Sequence, residues 1–218
     1  VAKDGDKLLA EEQQLVRDAQ KGDGASFSVL VQRYYDRLQR YLYQMTRDRH
    51  ATEDITQETF MKAWAAIGRF KAGTNFRAWL FRIGHNNCIN LHRSRSTQRQ
   101  PMPEETVTKD PGPLDEVLAK EGLEKLASAV ANLSEDFRSA LLLRVDEGMS
   151  FRTIAAILGI TEETARWRVF KARHRLGQVI WPEVFSGSDE FETAPTSTSD
   201  ADLESEEIED GSQQNKGS

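Results

Sequence analysis

Cysteine is almost missing from this chain: Cys88 is the one example in 218 residues. A single thiol cannot close an internal disulfide, and such sparing use fits a reducing compartment, so the cytoplasm is the expected location. Long apolar runs are missing too. Nothing approaches the roughly 18 consecutive apolar residues of a membrane span, and the opening VAKDGDKLLAEEQQ has no apolar segment behind a basic one. Neither direct membrane insertion nor a secretory signal is expected. Alternation of strand period is nearly absent, which points to an all-α chain. Proline is scarce and unevenly placed, with four of the six prolines between Ser96 and Pro113. No nucleophile–base pair stands out, so the expectation is a protein that is not an enzyme, with no catalytic residues and no cofactor.

Acidic residues are absent from two stretches. Between Met61 and Gln100 lie eight bases (Lys62, Arg69, Lys71, Arg77, Arg82, Arg93, Arg95, Arg99) and no acid. From Thr164 to Leu176 there are five bases (Arg166, Arg168, Lys171, Arg173, Arg175), again without an acid. The acids collect instead at the far end, where Ser186 to Ser218 holds ten of them against one lysine. The net charge of −6 therefore hides a body that is mildly basic. A basic body with two concentrated basic stretches suits a polyanionic partner.

What is present is helical periodicity. A first amphipathic helix is expected from about Leu9 to Lys21. A second, from about Ala25 to Met45, carries the stripe Phe27, Leu30, Val31, Tyr34, Leu38, Tyr41, Leu42 and Met45. A third covers about Ala51 to Ile67, with Ile55, Phe60, Ala63, Trp64 and Ile67 as candidates for burial. Asn75 can cap a fourth, Phe76 to about Arg95, where Trp79, Leu80 and Ile83 read as core. Further helices are expected at about Leu114 to Ala131 and Ser134 to Glu147. The stretch from Gly148 to Leu176 then reads as two helices around a tight turn. Ser150 caps the first, Gly159 ends it where positive φ is wanted, and Thr161 caps a second, basic helix. That layout is a helix-turn-helix, which lays its second helix on a DNA groove. The implied organisation is two small helical domains, 1–95 and 114–182, joined by a flexible linker at 96–113 and followed by a disordered acidic tail at 183–218. The tail reads as solubilising. Its sharper alternative is a fold-back onto the basic faces, or engagement of a regulator.

The first domain narrows the function. Asp54, Gln57 and Glu58 fall at i, i+3 and i+4 on one exposed helix face, followed by Phe60. Alone, this is also what a solvated acidic helix start would show. Further on come Phe76-Arg77-Ala78-Trp79-Leu80-Phe81-Arg82-Ile83-Gly84-His85-Asn86, then Asn90, Arg93 and Arg95. In the second domain, Leu141, Leu143, Gly148, Ser150, Ile154, Ala155, Leu158, Gly159 and Ile160 keep a matching order. Together these strongly resemble the bacterial RNA polymerase sigma factors of the sigma-70 family, in the small two-domain extracytoplasmic-function (ECF) group. The resemblance implies a factor that directs promoter-specific transcription initiation, and a set of partners: core RNA polymerase (its β′ clamp helices and β flap), promoter DNA and an anti-sigma factor. It implies that Asp54, Gln57, Glu58 and Phe60 dock on core polymerase. Phe70, Lys71, Asn75, Arg77, Arg82, Asn86, Asn90 and Arg93 would open and hold the minus-10 element. Arg152, Thr164, Arg166, Arg168, Lys171 and Arg173 would contact the minus-35 duplex. Glu162, Glu163 and Trp167 depart from the usual pattern and leave the base sequence read open. The alternative is a stand-alone helix-turn-helix regulator that never joins polymerase, and the face at Asp54, Gln57 and Glu58 discriminates the two.

His85, Cys88 and His92 place three potential metal ligands on neighbouring turns. A structural zinc site wants four, no further Cys or His lies close, and His50 is far off in sequence. No metal is expected, and these residues read as polar or DNA-facing.

Overall fold

The computed structural model describes residues 2–71, 73–97, 122 and 125–181, with the side chains of 2–7, 96 and 97 outside the description. Helices α1 (Ala2–Gln20), α2 (Gly24–Thr46), α3 (Arg49–Ala66) and α4 (Phe76–Thr97) form a first group, with one 3₁₀ turn at Ile67–Arg69. Helices α5 (Glu135–Val145), α6 (Phe151–Leu158) and α7 (Glu162–Ile180) form a second, preceded by a helical stretch over 125–131. Among the described residues there is no strand, as the all-α expectation required. The expected linker begins inside α4, which runs on to Thr97; its remaining residues 98–113 and the expected tail at 183–218 lie outside the described residues.

Helices α2 and α3 start on aspartate. Asp23 Oδ1 accepts from Ala25 N at 2.9 Å and Asp48 Oδ1 from Ala51 N at 3.0 Å, each occupying a backbone donor that the helix leaves unpaired. α2 is the central strut. Leu30, Leu38, Leu42 and Met45 are almost wholly buried on the stripe read from the sequence. α3 turns threonines inward: Thr52, Thr56 and Thr59 are buried, and each hydroxyl donates to the carbonyl one turn back at 2.7 Å. That keeps their hydroxyl groups satisfied inside the core. α4 closes the group at Gly84, where a Cβ would lie 2.9 Å from Leu38 Cδ1. A side chain there would have to displace that Leu38 methyl, the far end of a flexible side chain.

In the second group the caps of the helix-turn-helix sit where the sequence placed them. Ser150 Oγ accepts from Thr153 N and Thr161 Oγ1 from Thr164 N, both at 3.1 Å, and Gly159 sits at φ +66°. α1 is the exception among the boundaries, starting seven residues before Leu9. Trp64 is another correction. Expected in the core, it is 39% exposed, because α3 buries its threonine side and leaves Trp64 on the rim beside Phe27.

The two groups share one continuous apolar core. α6 lies against α4, and α5 against α2. Between α5 and α6, the buried Glu147 carboxylate meets Arg37 at 2.9 Å and Arg77 at 3.9 Å, and Arg77 also donates to its backbone carbonyl at 3.1 Å. Arg138 reaches from α5 to Met45 O at 3.2 Å, while its other end takes Leu133 O at 2.8 Å.

Candidate nucleic-acid interface

α3 exposes its residues in pairs. Glu53 with Asp54, Gln57 with Glu58 and Met61 with Lys62 face solvent, alternating with buried pairs. The result is a ridge between two grooves. Asp54 and Glu58 look toward α4, lining a polar cleft with Lys62 and Asn90. Glu58 pairs with Lys62 at 2.8 Å, and Lys62 in turn donates to Asn87 Oδ1 at 2.7 Å. Gln57 looks the other way, into an apolar groove of about 520 Å³ with Tyr35, Met61 and Trp64. Phe60 is buried in the floor of that groove, its ring stacked on Tyr35 at 6.1 Å. It supports the ridge, whereas the sequence had set it beside Asp54 as a contact. Met61, 66% exposed, and Trp64 are the residues sequence reasoning passed over here. Their spacing from Gln57 (i+4, i+7) is the signal that would have placed them beside it.

The basic stretch divides into buried and exposed members. Phe70 is buried, edge-on to Phe76 at 5.7 Å and 4.9 Å from Trp79. An aromatic at the end of a 3₁₀ turn has apolar neighbours on two sides, so its ring closes the core and is not offered to a base. Lys71 and Asn75 are exposed, with Asn75 Oδ1 accepting from Ala78 N at 2.9 Å as the start of α4. Arg77 is half-buried and held by Glu147. The other four fall into line: Arg82, Asn86, Asn90 and Arg93 are all exposed and succeed one another by four, four and three residues along α4. Two guanidinium groups thus bracket two amides on one helix face. Cations for phosphates with amides for base edges is the chemistry that splayed single-stranded DNA requires.

On α7, Thr164 and Arg166 lie in the first turns. The Thr164 hydroxyl is 2.8 Å from that of Thr161, so it helps close the cap. Arg166 is exposed, pairs with Glu162 at 3.3 Å and stacks over Phe151 at 4.9 Å. Arg173 and Arg152 are exposed, Lys171 partly so. Arg168 departs from its sequence assignment. It is only 18% exposed and pairs with Asp136 of α5 at 3.0 Å, because it lies beside Ala165 and Val169 on the side of α7 that packs inward. Trp167, unexplained by sequence, leans on Phe137 at 5.5 Å and belongs to the packing of the helix. Phe170, half exposed and stacked with His174 at 6.4 Å, was not singled out by sequence reading.

Behind the α4 ridge lies a buried polar seam. His85 Nδ1 is 3.0 Å from Tyr41 Oη, and burial holds the imidazole down to about 4, against the raising influence of Glu135 and Asp136. Burial likewise pushes the Cys88 thiol up to about 12. His92 Nδ1 stands 2.9 Å from Glu135 Oε1 in the first turn of α5, and its Nε2 is 4.0 Å from Cys88 Sγ. Burial works against the Glu135 carboxylate, but the His92 hydrogen bond and the surrounding positive groups outweigh it and hold its pKa below the usual value.

Comparison with known proteins accounts for both groups. Sigma-70 region 2 matches residues 30–98, and Sigma-70, region 4 matches residues 123–176. The RNA polymerase sigma-H factor of Pseudomonas aeruginosa is 31% identical over 79% of this chain and 95% of its own length. The ECF RNA polymerase sigma-E factor of Haemophilus influenzae is 32% identical over 78% of this chain and 96% of its own. Among solved structures, CnrH in complex with the cytosolic domain of CnrY superposes with a TM-score of 0.61 at 26% identity, covering 82% of this chain and 99% of CnrH. The sigma factor RpoE in complex with the anti-sigma factor NepR from Bartonella quintana gives 0.60 at 29% identity, covering 71% of this chain and 96% of RpoE. The chain belongs to the sigma-70 family, in its extracytoplasmic-function group: a DNA-binding regulatory subunit of promoter-specific transcription initiation and not an enzyme.

Proposed function

We propose that this chain binds core RNA polymerase through the outward ridge of α3, captures the melted minus-10 strand along α4, and sets α7 on the minus-35 duplex. The observation that carries the reading is the file Arg82, Asn86, Asn90 and Arg93. Its members share one exposed face of a helix whose other side is fully committed to the core through Leu80, Phe81 and Cys88. A rigid support of this kind holds amides at fixed spacing, which a loop could not. The core-binding surface is Asp54, Gln57 and Glu58, extended to Met61 and Trp64. The β′ clamp helices are its proposed target, with the β flap taken by the second group. The minus-10 set is Lys71, Asn75, Arg82, Asn86, Asn90 and Arg93. Arg152, Thr164, Arg166, Lys171 and Arg173 make the minus-35 set. Arg77 and Arg168 join these only if they release Glu147 and Asp136. The domains follow as 1–95 and 114–182, and the place of action is the cytoplasm, where the polymerase is. Because CnrH and RpoE were solved with CnrY and NepR, an anti-sigma factor is proposed as a further partner here.

Among the described residues, no helix is long and apolar enough to cross a membrane. Transcription in vitro with core polymerase and a set of candidate promoters tests the proposal. Promoter-dependent initiation is the expected result. Absence of initiation together with absence of core binding would overturn it. Asp54→Ala with Glu58→Ala should weaken core binding while duplex binding by the second group is kept. Equal loss of both would show that the ridge is structural and not a docking face.

A further inference from the structure

The seam between the two helix groups brings together three metal-ligating side chains that neither group holds alone. Cys88 and His92 stand one turn apart on α4, and Glu135 projects from the first turn of α5 against His92. Cys88 Sγ is 4.0 Å from His92 Nε2, and Glu135 Oε1 is 2.9 Å from His92 Nδ1. One ligand atom from each of the three lies within 4.8 Å of the others. The geometry points to a binding site for a divalent transition metal of the zinc class, held by Cys88, His92 and Glu135 and bridging the two helix groups.

The donor set decides the class of ion. Thiolate, imidazole and one carboxylate suit zinc or cobalt, whereas calcium and magnesium want a shell of oxygens. Tetrahedral bonds of the usual lengths put neighbouring ligand atoms roughly 3 to 4 Å apart. The two short spacings run to different nitrogens of His92, so one nitrogen must serve the ion, and the set, whose ligand atoms lie within 4.8 Å of one another, contracts onto it by side-chain torsion. An i, i+4 pair on a helix is a ready chelate, because both side chains leave the same face one turn apart. Three protein ligands leave one position for water, as in open zinc sites. On binding, the Cys88 sulfur gives its electron pair to the metal and its proton goes to solvent, with no change of oxidation state. His85, one turn before Cys88, has its Nδ1 on Tyr41 and remains outside the ligand set. Glu135, 43 residues beyond His92, thus takes the place that the sequence offered to His85, and the set remains three. An ion here would tie α4 to the first helix of the second group, so occupancy should favour the packed arrangement. This inference stands on the seam alone and does not depend on which face meets polymerase.

Cobalt titration of the reduced full-length chain is the test. The expected result is one cobalt per chain, with a thiolate-to-cobalt charge-transfer band and the visible bands of tetrahedral cobalt, both removed by added zinc. Cys88→Ala should abolish the charge-transfer band. His92→Ala and Glu135→Ala should each weaken cobalt binding by about tenfold or more. Zinc should raise the Tm of the unaltered chain and, at the same concentration, raise that of Glu135→Ala by less. Circular dichroism establishes that each variant is folded, and Glu135→Gln serves if Glu135→Ala is not. A folded, reduced chain without the charge-transfer band would overturn the site. A band that appears at the same cobalt concentration in both the His92 and Glu135 variants as in the unaltered chain would also overturn it, since that means an ion held by the thiol alone.

Discussion

The two helix groups deploy their basic residues in different ways. On α4 the cations and amides at 82, 86, 90 and 93 run in single file along one exposed edge. On α7 the cations wind round the helix: Arg166 and Arg173 point outward, while Arg168 turns in to Asp136. Both groups also commit arginine to a carboxylate of the protein itself: Arg37 and Arg77 to the buried Glu147, and Arg168 to the exposed Asp136. Counting positive charge along a helix therefore says that a polyanion is near. It does not say which cations touch it, because helical phase against the core decides that.

The largest effect that would break this comparison lies at the seam the groups share. His85 on α4 faces Tyr41 of α2, Glu135 and Asp136 of α5, Arg168 of α7 and His92 of its own helix. Its folded pKa of about 4 lies below the ordinary 6.5, so the unfolded chain takes up a proton before the folded chain does. Stability should be full above about 6.5 and fall as the pH drops toward 4, by on the order of 3 kcal/mol in all. Urea midpoints across this range measure it. His85→Gln, which keeps a polar partner for Tyr41, should flatten that part of the profile. If the slope persists in His85→Gln, the buried imidazole is not its source.

Next in size is the α4 file itself. Asn86→Ala with Asn90→Ala should weaken binding of a single-stranded minus-10 oligonucleotide by about tenfold to a hundredfold, with Tm unchanged. Duplex binding by α7 should not respond. Loss of both together would mean that the groups do not divide the promoter between them.

This division was half legible in the sequence. Local chemistry was readable because caps act over a single turn: Ser150, Gly159, Thr161 and Asn75 sit as their spacing implied. Residues whose role depends on a distant partner were not. Glu147 read as the end of a helix and is the buried anion between Arg37 and Arg77. Phe70 and Trp64 exchange places relative to expectation. The 3₁₀ turn after α3 carries Phe70 onto Phe76, and the threonine stripe of α3 leaves Trp64 at the rim. Periodicity reports which face is apolar but not which neighbour arrives to cover it.

A smaller effect separates the two arginines of α7. Arg166→Ala removes an exposed side chain whose ion pair to Glu162 contributes little, so stability should hardly move while duplex affinity falls several-fold. Arg168→Ala takes a mostly buried side chain from an exposed Asp136 and should cost up to about 1 kcal/mol in stability. Measuring both variants for Tm and for duplex binding sharpens the assignment. Were Arg168→Ala to lose duplex affinity without losing stability, α7 would turn on docking, and the inward pairing would be a resting contact.

The smallest effect concerns how each group starts its helices. Asp48 caps α3 by accepting from Ala51 N and also pairs with Arg95 at 2.9 Å, and these hold its carboxyl below the ordinary 3.8. A lowered folded pKa means its stabilisation is fully present above about 3.8 and is lost as the pH falls through the folded value. α7 is capped by Thr161, whose hydroxyl does not titrate in this range. Asp48→Asn keeps a capping oxygen and loses only the charge, so at neutral pH it should cost about 0.5 kcal/mol, and the cost should vanish in acid. Thr161→Ala removes the cap outright and should cost about 1 kcal/mol at every pH. Paired stability curves for the two variants would show the gap between Asp48→Asn and the unaltered chain closing below pH 3.8 and that of Thr161→Ala staying constant. A constant gap for Asp48→Asn would mean that the charge adds nothing to the Ala51 cap or to the Arg95 pair, which would leave the two groups alike at their helix starts.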